Sequence, residues 1–203
     1  MTDGFLEFAL AVRTIDGWGW CGVAASEVGL VGATLAHSRE AACVTALQRT
    51  SSAARTRSRG AQRSRRRRAE HEQWPVAGRA AYQTAGQALE ELWEYLTSGR
   101  QRLDVALDHR AGTDFQRRTW DAIRDVPFGE TRSYAWLARA VGSPHATRAI
   151  GRAVGSSPNL IFVPCHRIVG SRGLGGYVRG TGVKQKLLDH EAAWPRMQPM
   201  LGA

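Results

Sequence analysis

The chain is 203 residues long, 43% of them hydrophobic, and carries a formal net charge of +10. That is enough for one large or two small domains with a true core; no apolar run approaches the roughly 18 residues that cross a bilayer, and the opening Met1-Thr-Asp-Gly lacks the basic-then-apolar order of a signal peptide. Three cysteines (Cys21, Cys43 and Cys165) without CxxC spacing exclude a disulfide framework and suit a free thiol in a reducing cytosol.

From the N-terminus, Phe8-Ala-Leu-Ala-Val-Arg13, Trp18-Gly-Trp-Cys-Gly-Val-Ala24 and Gly29-Leu-Val-Gly-Ala-Thr-Leu35 predict short strands of a small antiparallel sheet, broken by glycines and by the Asp16-Gly17 turn signal. Ser38 is a suitable cap for a helix running towards Leu47. Gln48 to Arg68 then holds nine arginines, no acid and no aliphatic side chain larger than alanine. Such a tract buries too little apolar surface to offset chain entropy and is expected to be disordered, either a loop insertion or an arm for DNA phosphates. Leu89, Leu92, Trp93 and Leu96 recur at helical spacing between Gly86 and Leu96, with Gly99 just past the end, and this stripe is read as core. Leu103 to Leu107 is expected as a short edge strand and His109 to Thr113 as the linker between two domains.

Beyond Thr113 the pattern turns helical. Phe115, Thr119, Trp120 and Ile123 share one face of a helix that Pro127-Phe-Gly-Glu130 ends. Ser133 caps a helix from Tyr134 to Val141 that buries Trp136, Leu137 and Ala140 or Val141. Gly142-Ser-Pro144 makes a tight turn, and Ala146 to Val154 forms the next helix, with Arg148 and Arg152 on one side. Two short helices joined this way predict a helix-turn-helix, whose second helix docks in a groove of duplex DNA. Thr113 to Glu191 holds twelve basic residues against six acidic ones, a balance that favours polyanions. Gly170 to Gly182 is a glycine-rich loop able to approach a ligand closely, and Val183 to Glu191 is a final helix with Leu187 and Leu188 inward.

Between these elements lies Pro164-Cys165-His166-Arg167, directly after the apolar run Leu160-Ile-Phe-Val163. A cysteine beside an imidazole, with a guanidinium two positions on, is expected to ionise, and the thiolate is the nucleophile. Taken alone the tetrapeptide also fits an inert buried cysteine or a Cys-His hydrolase. A hydrolase leaves Arg148 and the helix-turn-helix unexplained.

In order along the chain, Phe115-Gln, Pro127-Phe-Gly-Glu-Thr131, Ser133-Tyr134, Arg148-Ala-Ile-Gly, Phe162-Val-Pro-Cys-His-Arg-Ile-Val169, Gly175-Gly-Tyr177 and Lys184-Gln-Lys-Leu-Leu-Asp-His-Glu191 resemble the O6-alkylguanine-DNA alkyltransferases. The likeness covers Thr113 to Glu191; the N-terminal part fits the family's smaller domain loosely, and the arginine tract is foreign to it. The resemblance implies residues 1–108 as an α/β domain with an antiparallel, RNase H-like sheet, the arginine tract 48–68 inserted, and residues 109–203 as a mostly α, winged-helix-like domain. It implies transfer of an alkyl group from O6-alkylguanine in double-stranded DNA, everted from the minor groove, to Cys165 in a single turnover. His166 is then the general base, Glu191 its orienting partner, and Tyr134 the group that crowds the target phosphate and protonates the leaving guanine. Arg148 fills the vacated stack, Ser133, Tyr134, Arg152 and Arg167 contact DNA, and Val163, Tyr177 and Val178 line the pocket.

No cofactor is expected, and Cys21, His37 and Cys43 lack the spacing of a structural zinc site. The chain is expected to be a cytoplasmic monomer, able to bind DNA cooperatively. The alternative within the resemblance, a non-catalytic sensor of alkylated DNA, would lack the cysteine present here at 165. Two positions depart from the family pattern: Ser157 stands where an asparagine joins the recognition helix to the active site, and Val178 stands where a serine follows the tyrosine of a glycine loop one residue longer.

Overall fold

The computed structural model describes residues 8–58 and 77–194. They fall into two compact units: the chain up to Glu90 with Asp104–Thr113, and Glu91–Leu103 with the chain from Asp114 onward. The division is therefore interleaved and not a single cut near residue 108, because the second half of one helix is counted with the C-terminal unit.

In the first unit β1 (Ala9–Ile15), β2 (Gly19–Ala25) and β3 (Leu30–His37) form an antiparallel sheet in the order β1-β2-β3. Gly17 and Gly19, at φ 73° and 74°, turn the β1–β2 hairpin in a region that costs other residues strain. Helix α1 (Glu40–Ser58) packs on the sheet, and Cys43 and Leu47 join Phe8, Ala24 and Val31 in the core. Contact is close at Gly22, where a Cβ would come within 2.7 Å of Val12 Cγ1 and 3.0 Å of Cys43 Sγ. α1 extends well past Leu47, so Gln48 to Ser58, expected to be disordered, is helical. The tract lacks large apolar groups, but its alanines and arginines favour a helix locally, and Ser51 is buried with its hydroxyl donating to Leu47 O at 3.0 Å. The remainder of the arginine tract lies outside the described residues.

Leu103 to Leu107 makes one parallel bridge, Leu107 to Leu30, in place of the expected strand. The ladder stops at Asp108, whose carboxylate accepts from Ser26 Oγ (2.8 Å), Arg110 N (3.2 Å) and the Arg110 guanidinium (2.7 Å). Side-chain bonds of this local kind compete with strand pairing.

Helix α2 spans Arg79–Ser98, starting earlier than Gly86. Its buried stripe is Ala81, Ala85, Ala88, Leu92, Tyr95 and Leu96, whereas Trp93 is 37% exposed. The alanines score weakly as apolar but repeat at helical spacing, and Tyr95 takes the inward place expected of Trp93.

In the second unit α3 (Asp114–Arg124) buries Thr119, Trp120 and Ile123. α4 (Tyr134–Ala140) begins at Ser133, whose hydroxyl accepts from Trp136 N at 3.1 Å, and α5 (Thr147–Gly155) follows after a turn at Gly142, φ 71°. α4 buries Leu137 and Ala138; Ala140 is exposed, and Trp136 is half-buried with the Arg132 guanidinium 5.7 Å from its ring centroid. Short strand β4 (Arg132–Ser133) pairs in parallel with β5 (Ile168–Val169), which ties the start of α4 to the residues just after Cys165. The last helix, α6 (Thr181–Ala193), buries Lys184, Leu187 and Glu191.

Candidate active site

The apolar run before Cys165 is a tight turn: Val163 N donates to Asn159 O at 2.8 Å, and Ile161 sits at φ 75°. A β-branched residue rarely takes that conformation, and burial to 2% exposure holds it there. The chain then enters a 3-10 turn over Cys165–Arg167, with Arg167 N donating to Pro164 O at 2.9 Å. Cys165, His166 and Arg167 are all buried, so their side chains meet groups far away in sequence.

His166 Nε2 lies 2.7 Å from Glu191 Oε1 on α6. Arg167 donates to both oxygens of the same carboxylate at 2.9 to 3.1 Å and to Val126 O at 2.7 Å, and its guanidinium lies 5.7 Å from the Phe128 ring centroid. Gly129 N supplies a further bond to Glu191 Oε2 at 2.8 Å, and the Tyr95 hydroxyl one to Oε1 at 2.5 Å. Burial opposes ionisation of Glu191, but hydrogen bonds and charge from His166 and Arg167 outweigh it and hold the carboxyl near 2. Burial also depresses His166 below its ordinary 6.5, against the pull of Glu191. The imidazole is therefore neutral near pH 7, and Arg167 is the counter-ion of Glu191. The Nε2 proton goes to the carboxylate, which leaves the lone pair on Nδ1; that atom is buried and has no hydrogen-bond partner among the described residues.

The thiol departs from the expectation of a resting thiolate. Burial pushes Cys165 up to about 12, and the charge of Lys184, with smaller help from the main chain and the Tyr177 hydroxyl, offsets only part of this. His166 and Arg167 are spent on Glu191, which is why adjacency in sequence does not ionise the sulfur. Lys184, which sequence reading used only as part of a motif, is fully buried; its Nζ donates to Ile168 O and Leu174 O, both at 2.5 Å, and to Gly176 O at 3.3 Å. It thus pins the glycine loop beside the 3-10 turn.

Tyr134 flanks the same space, half-buried, with Lys184 Nζ 6.0 Å from its ring centroid; burial and the nearby Cys165 raise its hydroxyl above 10.0. The loop main chain comes so near that a Cβ on Gly175 would stand 3.0 Å from Tyr134 Cε2. Tyr177 turns its buried hydroxyl towards the thiol, while Val178 is 59% exposed at the loop surface. Val163 is fully buried, and its carbonyl accepts from Cys165 N at 2.7 Å.

A family profile described as 6-O-methylguanine DNA methyltransferase, DNA binding domain, matches residues 114–193. A methylated-DNA–protein-cysteine methyltransferase of Methanosarcina acetivorans is 40% identical over 108 residues, covering 53% of this chain and 69% of that protein. The chain belongs to the methylated-DNA–protein-cysteine methyltransferases. The methyltransferase of that name from Mycolicibacterium paratuberculosis is 47% identical over 105 residues, and the match spans 63% of its length. The crystal structure of Mycobacterium tuberculosis OGT in complex with DNA superposes with a TM-score of 0.64 at 29% identity, over 93% of this chain and 94% of that one.

Of the residues singled out in the sequence, Cys165, His166 and Glu191 lie in one buried cluster, with Tyr134 and Tyr177 beside them. Arg148 and Arg152 are exposed on α5, apart from this cluster. Arg167 is not a surface DNA contact: at 6% exposure its guanidinium is taken up by Glu191 and Val126. Ser157 is buried, and its hydroxyl finds no partner among the described residues. Two other bonds hold the C-terminal turn of α5: Trp120 Nε1 donates to Ala153 O and Gln116 Nε2 to Ser156 Oγ, both at 2.8 Å. Tyr95 and Lys184 are the site residues that motif reading missed. A tyrosine at an inward helical position was the available signal for the first, and a lysine one residue past an apolar helix start for the second.

Proposed function

We propose that this protein removes the alkyl group from O6-alkylguanine in double-stranded DNA by transferring it irreversibly to Cys165. The observation that carries the reading is a buried thiol next to an imidazole whose Nε2 is engaged by Glu191 and whose Nδ1 is free to accept. In the transfer the sulfur–carbon bond forms as the carbon–O6 bond breaks. The thiol proton passes towards His166 Nδ1, through a bridging water in the family pattern, and Tyr134 supplies a proton to the departing guanine. Because the resting thiol lies near 12, proton loss belongs to the displacement step and does not precede it. The thioether has no leaving group of its own, so each molecule acts once.

The target base must leave the stack to reach a buried sulfur. Arg148, on the exposed side of α5, is suited to fill the gap from the minor groove, with Ser133, Tyr134 and Arg152 at the DNA surface and the main chain near Val163 and Val178, with Tyr177, holding the guanine edge. The helix-turn-helix with the β4–β5 pair supports a winged-helix-like reading of the second unit, and the antiparallel sheet with its helix an RNase H-like reading of the first. The protein acts as a cytoplasmic monomer, needs no cofactor or zinc, and binds DNA side by side with other copies.

Intact-protein mass spectrometry after mixing with O6-methylguanine duplex tests this. One methyl group is expected on Cys165, and none on Cys165→Ala, which should still bind DNA. Tight binding with no added mass on the unaltered protein would instead indicate a lesion sensor.

A further inference from the structure

Glu191 has more donors than orienting one imidazole requires. Besides His166 and Arg167, its Oε1 accepts from the Tyr95 hydroxyl at 2.5 Å, and that hydroxyl lies 3.3 Å from His166 Nε2. Tyr95 comes from α2, outside the stretch of sequence that carries the family motifs. Its place is fixed from several directions: the side chain is 1% exposed, the ring stands edge-on to Phe128 at 5.9 Å, and its carbonyl accepts from His190 Nε2 at 2.7 Å. The hydroxyl therefore cannot swing away from the carboxylate.

A buried carboxylate facing an imidazole favours the imidazolium, yet a base that collects a proton from Cys165 must be neutral. Each donor that shares the charge of Glu191 weakens this pull. We infer that Tyr95 is a positioning residue for the transfer: its hydroxyl fixes Oε1 against His166 Nε2 and takes up part of the carboxylate charge, keeping the imidazole neutral with its lone pair on Nδ1. The inference rests on the alkyl-transfer reading above. Among the described residues, the ionisable groups around the His166–Glu191 pair and Tyr95 are Cys165 and Arg167 from the 3-10 turn, Lys184 from α6, His190 from α6 with its ring centroid 5.6 Å from that of Tyr95, and Tyr177 from the glycine loop, whose ring centroid is 6.5 Å from that of His166. Tyr95 and, of these groups, Arg167 donate to Glu191 directly.

The test is Tyr95→Phe, which keeps the ring and removes the donor. Single-turnover methyl transfer is followed against pH, and the His166 ring is titrated by NMR in the protein without DNA. Losing the hydroxyl leaves more charge facing His166, so its titration midpoint should move to higher pH and the acid limb of the rate profile should move with it. On that limb the rate should fall about tenfold, the worth of one hydrogen bond to a charged group, and recover at alkaline pH. The same change in a Glu191→Gln background should add nothing further. Incorporation of 3-fluorotyrosine at position 95, a stronger donor, should shift the His166 midpoint the opposite way, and it serves if the phenylalanine variant folds poorly. A uniform loss of rate at all pH values, or an unmoved His166 titration, would overturn the role of Tyr95. An unaltered protein that accepts no methyl group would sink the alkyl-transfer reading instead, while the NMR titration would still decide whether Tyr95 sets the state of His166.

Discussion

Desolvation disfavours a thiolate at Cys165, and Lys184 is the charge that offsets it most. Folding therefore favours the thiol. That contribution is complete below the ordinary 9.0 and is lost as pH rises towards about 12, so Cys165 should react sluggishly with iodoacetamide through neutral pH and faster only under alkaline conditions. Lys184→Met removes the charge and leaves the carbonyls of Ile168, Leu174 and Gly176 without this donor. The variant should lose about 2 to 3 kcal/mol in urea unfolding and should slow both iodoacetamide labelling of Cys165 and methyl transfer. A variant that labels as fast as the original protein would remove Lys184 from the electrostatics of the sulfur. At His166 the sign is reversed. Its lowered value makes protonation unfavourable in the folded state, so stability present above 6.5 is lost as pH falls below it.

Helix α5 has two duties that its sequence separates by face. Ile150, Ala153 and Val154 are buried, while Arg148 and Arg152 point to solvent. The Trp120 and Gln116 bonds to its C-terminal turn fix where those arginines stand relative to Cys165 within the same unit. Arg148→Ala should slow repair of O6-methylguanine in a duplex at least tenfold while changing reaction with free O6-methylguanine base by less than about twofold, since only the duplex requires a plug for the vacated stack. Equal losses on both substrates, measured by single-turnover kinetics, would count against that role. The helix-turn-helix was legible because apolar spacing, a serine cap and a glycine turn all report local geometry. α1 was not: a missing apolar stripe argues against packing, but it does not prevent the interspersed alanines and arginines from continuing a helix already nucleated on the sheet.

Across the whole molecule the positive charge is divided between the basic C-terminal half and the arginine tract. Because α1 carries the first part of that tract to Ser58, a deletion that removes charge and spares α1 is confined to residues 59–68, which hold six arginines. This deletion should flatten the dependence of DNA affinity on salt concentration, with the rate of methyl transfer at saturating DNA unchanged. An unchanged salt slope in a binding titration would show that the tract does not meet phosphate.

The order of residues by itself determined the Pro-Cys-His-Arg motif, the helix-turn-helix pair and the family, since these follow from short spacings and motif order. Only the tertiary structure decided what each partner does. Arg167 turned inward to neutralise Glu191, Lys184 and Tyr95 arrived from distant helices, and burial pushed the Cys165 thiol up to about 12. The reason is that a pKa is set by burial and by charges arrayed through space, whereas spacing along the chain records only which groups are neighbours in sequence.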